Sequence, residues 1–154
     1  MGIARTVQEY LDDNHIPYEA TKHARTSCSM MTAEAGHIPG SALAKGVVLR
    51  WGDGYVLAVL PASRYVDLDK VRGIIGDRVE IATESEASAL FPDCEEGAVP
   101  VLGVPYRLAC VVDDGLEEHD DIWFEGGDHR TLIHVPGDEF ARMMYGVPHG
   151  HISM

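Results

Sequence analysis

The chain has 154 residues, 45 % of them hydrophobic and 24 % charged, enough for one domain with a buried core and too few for two ordinary ones. Its formal net charge of −13, with His neutral, excludes a protein that tracks along a nucleic-acid backbone on a basic stripe, so any nucleic-acid contact must be as local as a single terminal nucleotide. No apolar stretch approaches the ~18 residues needed to span a bilayer, and Met1 to Thr6 lack the basic region and apolar core of a signal peptide.

Taken in chain order, Val7, Tyr10 and Leu11 have helical spacing, and Pro17 stops that helix. Tyr18 to His23 reads as a short strand. Ser29 and Thr32 are candidate N-caps of a helix that runs to Ala35 and is ended by Gly36 and Pro39. Lys45 to Trp51 and Tyr55 to Leu60 are two apolar, β-rich runs, and Gly52-Asp53-Gly54 between them predicts a hairpin. Pro61 ends the second run. A helix begins in Val66 to Val71 and is closed by Gly73 or Gly76. Val79 to Ala82 predicts a strand and Glu84 to Phe91 a helix with acidic residues at its positive end. Strands follow at Tyr106 to Val112, Ile122 to Phe124 and Thr131 to Val135, then a helix at Asp138 to Tyr145. Asp113-Asp114 reads as a surface turn, and Gly146 to Met154 as a loose tail. Helices and strands interleave without a strict βαβ rhythm, which predicts an α/β (α+β) domain over residues 1–154, a mixed sheet with peripheral helices.

The chemistry has few candidate carriers. No GxSxG elbow, Walker loop or GxGxxG occurs. Three cysteines, Cys28, Cys94 and Cys110, form no CxxC pair; the odd count argues against a disulfide framework and for a reducing compartment, the cytoplasm. Cys28, in a polar stretch, could be a reactive thiol. The eight histidines lack zinc-site spacing, so no metal and no cofactor is expected. His149-Gly150-His151 falls in the tail.

Lys45 opens an apolar strand, and burying an unpaired ammonium is costly. Gly97-Ala98-Val99-Pro100-Val101-Leu102-Gly103 is a stiff, glycine-bounded loop. A cation at a strand end facing such a row of main-chain amides would hold an anionic or carbonyl ligand; alternatively Lys45 snorkels to the surface. Gly126 and Gly127 let backbone approach a ligand closely, and His129 behind them either binds that ligand or faces water in a plain hairpin turn. His23 lines the cavity of Lys45 or caps a loop.

The ordered set resembles the YbaK / prolyl-tRNA-editing family of aminoacyl-tRNA deacylases. It comprises Thr32-Ala33-Glu34-Ala35, Ala44-Lys45-Gly46-Val47-Val48-Leu49, the Asp53-Gly54 hairpin, Leu57 to Ala62, Asp67 to Val71, Glu95 to Pro100 with Gly103, Val112-Asp113 and Glu125-Gly126-Gly127-Asp128-His129. The likeness runs from about Thr6 to Tyr145. It implies a barrel-like mixed sheet and hydrolysis of a wrongly charged amino acid, often alanine or cysteine on tRNA-Pro, from the 3′ end of a tRNA. It implies that Lys45 holds the phosphate or ribose of the terminal adenosine. Gly97, Ala98, Val99, Pro100 and the catalytic Gly103 would bind the ester carbonyl and place water, while Gly127, His129 and His23 would line the substrate pocket. The expected partners are the 3′ end of aminoacyl-tRNA and an aminoacyl-tRNA synthetase; no membrane is expected, and oligomeric state is left open. Two positions depart from the family pattern: Val101 replaces the loop's second proline, and Gly46 stands where several members carry a polar residue. Ester hydrolysis needs polarising amides, a placed water and an orienting cation, and it requires no protein nucleophile if a ribose hydroxyl or the substrate itself assists. The alternatives are a non-catalytic nucleotide- or aminoacyl-binding module on the same scaffold and a histidine-based metal hydrolase.

Overall fold

A computed structural model describes residues 2–26 and 29–154; Cys28, the candidate reactive thiol, lies outside the described residues. Eight strands form one mixed sheet in the order β1-β7-β6-β2-β3-β5-β8, with β4 on the side of β2. The strands are β1 (Glu19–Lys22), β2 (Leu43–Trp51), β3 (Gly54–Pro61), β4 (Val79–Ile81), β5 (Ala109–Asp113), β6 (Asp121–Glu125), β7 (Thr131–Pro136) and β8 (His149–Gly150). The helices are α1 (Arg5–Asp13), α2 (Ser29–Ala35), α3 (Leu68–Ile75), α4 (Glu84–Leu90) and α5 (Gly137–Met143). The predicted mixed α/β architecture is the one observed. Among the described residues no helix is long and apolar enough to cross a membrane.

Local chemistry sets the boundaries. Gly52, at φ +59, takes the tight turn of the β2–β3 hairpin, where Trp51 pairs with Gly54. The Asp67 carboxylate accepts from the N–H groups of Asp69 and Lys70 and so starts α3 at Leu68. Thr83 and Glu86 form a reciprocal capping box on α4. The expected strand from Tyr106 begins only at Ala109, because Val104–Tyr106 forms a 3₁₀ turn around Pro105, which has no N–H to give a ladder.

Both faces of the sheet are covered. On one, Ala44, Val48, Leu57, Val59, Phe124 and Ile133 pack against Val7 and Leu11 of α1 and Phe140 and Met143 of α5. On the other, α2 brings Ala33 against Leu43 and Leu132, and α3 brings Val71 against Leu49 and Leu60. Strand alternation therefore divides β2: Ala44, Gly46 and Val48 face α1 and α5, while Leu43, Lys45, Val47 and Leu49 face α2 and α3.

The tail is the main departure from the sequence reading. His149–Gly150 pairs in parallel with β5, Ser153 bridges to Val66, and Ile152 is fully buried beside Leu49 and Val111. Asp113 is no surface residue: it is 3 % exposed, and its carboxylate accepts from Gly115 N–H, Ile152 N–H and the Ser153 hydroxyl. The polar composition of the tail conceals one apolar anchor, Ile152, and the buried carboxylate that orders the backbone around it.

Candidate functional site

The parallel pairing of β2 with β6 ends at Ala44 and Phe124. Beyond it β6 closes at Glu125 and turns through 126–130 into β7, while β2 runs on to pair with β4. The glycine loop lies across the split. At one end it touches β2, since a Cβ on Gly46 would stand 3.1 Å from Val99 Cγ1 and 3.4 Å from Pro100 O. At the other it is tied to the β6–β7 turn: Glu95 N–H donates to Gly127 O (2.7 Å), and His129 Nε2 lies 2.6 Å from Glu96 O, a bond in which the ring nitrogen is the donor.

Each tie depends on residues that tolerate unusual backbone. Gly97 sits at φ +83 and Gly127 at φ +120, and a Cβ on Gly127 would stand 3.0 Å from Ala4 Cβ. His129 itself is left-handed, at φ +58. The turn is held by Asp128, whose carboxylate accepts from Arg130 N–H, Thr131 N–H and the Thr131 hydroxyl. Burial works against that charge, but these donors outweigh it and hold the Asp128 carboxyl below the usual range. Arg25, 2.6 Å from Glu95, fixes the start of the loop and holds the Glu95 carboxyl low. Ala98 N–H is spent on Glu95 O, whereas among the described residues the N–H groups of Gly97 and Val99 have no protein acceptor. His129 is only 6 % exposed, so the water-facing hairpin reading is corrected: the imidazole is the strut between loop and turn.

Lys45 stands elsewhere than expected. Its Nζ lies 3.5 Å from Ala62 O and 5.4 Å from the centre of the Tyr65 ring, on the face of β2 opposite Gly46. Lys45 and the Val99-Pro100 part of the loop therefore meet β2 on its opposite faces. The reason is the strand's period of two: Gly46, not Lys45, has the side-chain direction that meets Pro100. Gly103 is buried at the far end of the loop, where a Cβ would stand 2.3 Å from Cys110 Sγ and 2.6 Å from Leu108 O, so packing alone already requires glycine there.

A second cluster escaped the sequence reading. Glu125 closes β6 one step past the Ala44–Phe124 pair, which puts it on the same face as Lys45. It is 6 % exposed, and its Oε1 accepts from the Thr32 hydroxyl (2.9 Å), which is in turn paired with the Thr26 hydroxyl. Thr32 is thus a mid-helix residue of α2 bonded to the sheet rather than a helix cap. Glu125 Oε2 and His23 Nε2 are buried without a protein partner among the described residues; His23 Nδ1 lies 2.7 Å from Ala24 O. Burial pushes the Glu125 carboxyl above its usual range, against the pull of the Thr32 bond and of His129 and His23 nearby. The available signal was a lone carboxylate ending the apolar run Ile122-Trp123-Phe124, the counterpart of the lysine that begins Lys45 to Leu49.

The described thiols are poor nucleophiles. Burial pushes Cys94 up to about 12 and Cys110 up to about 11, so both are protonated near neutrality. Among the described residues no three His, Cys, Asp or Glu side chains converge as metal ligands.

The sequence model of one family, described as an aminoacyl-tRNA editing domain, matches residues 21–143. No curated protein matches the sequence significantly. Among solved structures, hypothetical protein APE2540 superimposes with a TM-score of 0.86 at 18 % identity, covering 97 % of this chain and 100 % of that one. A candidate trans-editing enzyme for prolyl tRNA synthetase gives 0.82 at 23 % identity, covering 98 % and 96 %. A protein from work on epitope backbone grafting onto scaffold proteins gives 0.80 at 20 % identity, again covering 98 % and 96 %. At these identities the likenesses establish the fold.

Proposed function

The chain belongs to the aminoacyl-tRNA editing domain family, and from that premise we propose that it is a free-standing, cytoplasmic hydrolase that deacylates wrongly charged tRNA, with alanyl- and cysteinyl-tRNA-Pro as the first substrates to test. The observation that carries the reading is the loop itself. It is clamped to the glycine turn by the His129–Glu96 and Glu95–Gly127 bonds, with the N–H groups of Gly97 and Val99 unspent. Water attacks the ester carbonyl, the developing oxyanion accepts from those main-chain donors, and the 3′ oxygen of the terminal ribose leaves with a proton. Preorganised amides suit this reaction because they need no rearrangement as charge develops.

Lys45 acts from the other face of β2, holding the ribose or phosphate of the terminal adenosine and leaving the carbonyl to the loop. His129 and Gly127 keep the loop in register, and His23 lines the pocket near Glu125. With Cys94 and Cys110 protonated, the reaction proceeds through water and not through an acyl-enzyme on either thiol. The net charge of −13 is compatible with this role, because only the CCA end enters.

A panel of mischarged tRNAs tests the proposal. Wild-type protein is expected to hydrolyse at least one, and Lys45→Ala to lose about a hundredfold or more of that rate with an unchanged melting curve. Wild-type protein that binds a charged tRNA and protects its ester would instead establish a non-catalytic binding module, and full activity in Lys45→Ala would refute the mechanism.

A further inference from the structure

The acidic surface leaves few cations to meet RNA. Of the twelve lysines and arginines, Arg5, Arg25, Arg50, Arg72, Arg78 and Arg142 are each paired with a carboxylate. Arg64 and Lys70 form no ion pair among the described residues, and both converge on Ser153: Arg64 Nε donates to its hydroxyl (3.0 Å) and Lys70 Nζ to its carbonyl (3.1 Å). They line a cavity of about 390 Å³ together with Ser63, His119 and His151.

Two carboxylates border the same cavity. Asp113 lies beneath it with three donors already committed to its oxygens. Glu118 is exposed on the rim and forms no ion pair among the described residues. A guanidinium whose Nε is engaged still presents its Nη groups, and among the described residues those of Arg64 donate to nothing. That fork matches two phosphate oxygens, and an adjacent ammonium adds a point charge.

The cavity adjoins Lys45. Lys45 Nζ rests on Ala62 O, and the next residues of the chain are Ser63, Arg64 and Tyr65. Tyr65, 74 % exposed, holds its ring beside Lys45 and its backbone against Met154. The segment Ala62 to Tyr65 therefore carries an arginine of the cationic pocket and an exposed aromatic ring, and Lys45 of β2 rests against it. Single-stranded nucleic acid is gripped by that combination, charge on the backbone and a flat face for a base.

We infer that the pocket of Arg64, Lys70 and Ser153 seats a backbone phosphate of the RNA acceptor end whose last nucleotide is held at Lys45; the inference rests on the editing function proposed above. The test uses the whole chain and an uncharged acceptor-stem RNA ending in CCA, with Kd measured by fluorescence anisotropy over a range of salt. Arg64→Ala/Lys70→Ala is expected to weaken binding and to make the log Kd against log salt slope shallower by about 0.7, the value of one single-strand phosphate. Arg64→Lys/Lys70→Arg keeps both charges and is expected to keep the wild-type slope, which separates lost charge from a loosened tail. In a parallel arm, inorganic phosphate is expected to shift the Gly115 and Ser153 amide resonances of the wild type and not those of the alanine variant. An unchanged slope in the alanine variant overturns the inference, even where free phosphate binds, because the pocket would then serve a small anion. Since the RNA carries no aminoacyl ester, a protein that shows the slope change but hydrolyses no charged tRNA would refute the hydrolase and leave the phosphate site standing.

Discussion

Adding one methyl group at Gly46 probes whether the loop is where the chemistry happens. Built on the strand, that carbon would stand 2.9 Å from Leu57 Cδ1, 3.1 Å from Val99 Cγ1 and 3.4 Å from Pro100 O. Leu57 can turn the end of its side chain, and the Pro100 contact is ordinary. Val99 must give by a few tenths of an ångström and take the loop with it. The backbone at Gly46 is not left-handed, so alanine brings no strain and restrains the unfolded chain, a gain of about 0.4–1 kcal/mol. Mild overpacking costs about 1–3 kcal/mol. The net expectation for Gly46→Ala is a loss of about 1 kcal/mol, read as a Tm lower by about 2–4 °C. A misplacement of 1 Å can cost about a hundredfold in rate, so a few tenths should lower kcat about fourfold. KM should hold, because Lys45 and its surroundings on the other face are untouched. Steady-state deacylation and thermal melting on one preparation decide the matter. A lowered Tm with full kcat would mean that the amides of Gly97 and Val99 do not face the ester carbonyl.

Two further outcomes concern stability. Ile152→Ala removes a fully buried side chain from the tail and should cost about 2–4 kcal/mol in urea unfolding; wild-type stability would show that the tail does not dock. Arg50, then the Thr83 N–H and the Tyr55 hydroxyl, hold the Glu86 carboxyl far below the usual range. A carboxyl lowered in the folded state contributes stability that is present above its unfolded value, about 4.3, and is lost as the pH falls below it. Tm should therefore drop between pH 5 and the onset of acid unfolding, and Glu86→Gln should flatten that part of the curve; an unchanged slope would dismiss the network as a surface feature.

Much of the fold could be read from local patterns. The hairpin at Asp53-Gly54, the apolar runs on either side of it, the acidic start of α4 and the helix ending near Met143 all follow from periodicity and turn chemistry. The direction of Lys45 could not, because β2 is apolar on both faces, and alternation says only that Lys45 and Gly46 oppose each other, not which of them meets the loop. Thr32 has the composition of a helix cap, and only the tertiary placement of Glu125 turns it into a hydrogen-bond donor to the sheet. Asp113 looked like a turn residue because its donors, Ile152 and Ser153, lie about forty positions away along the chain.

The clasp that Ser153 and Met154 make has a practical bearing on every assay above. Met154 exchanges both main-chain hydrogen bonds with Tyr65, and Ser153 is gripped by Arg64 and Lys70. A purification handle fused behind Met154 would emerge beside the ring and cations that flank Lys45. The opposite terminus is no freer, since Gly2 and Ile3 border the turn at Gly127 and Asp128.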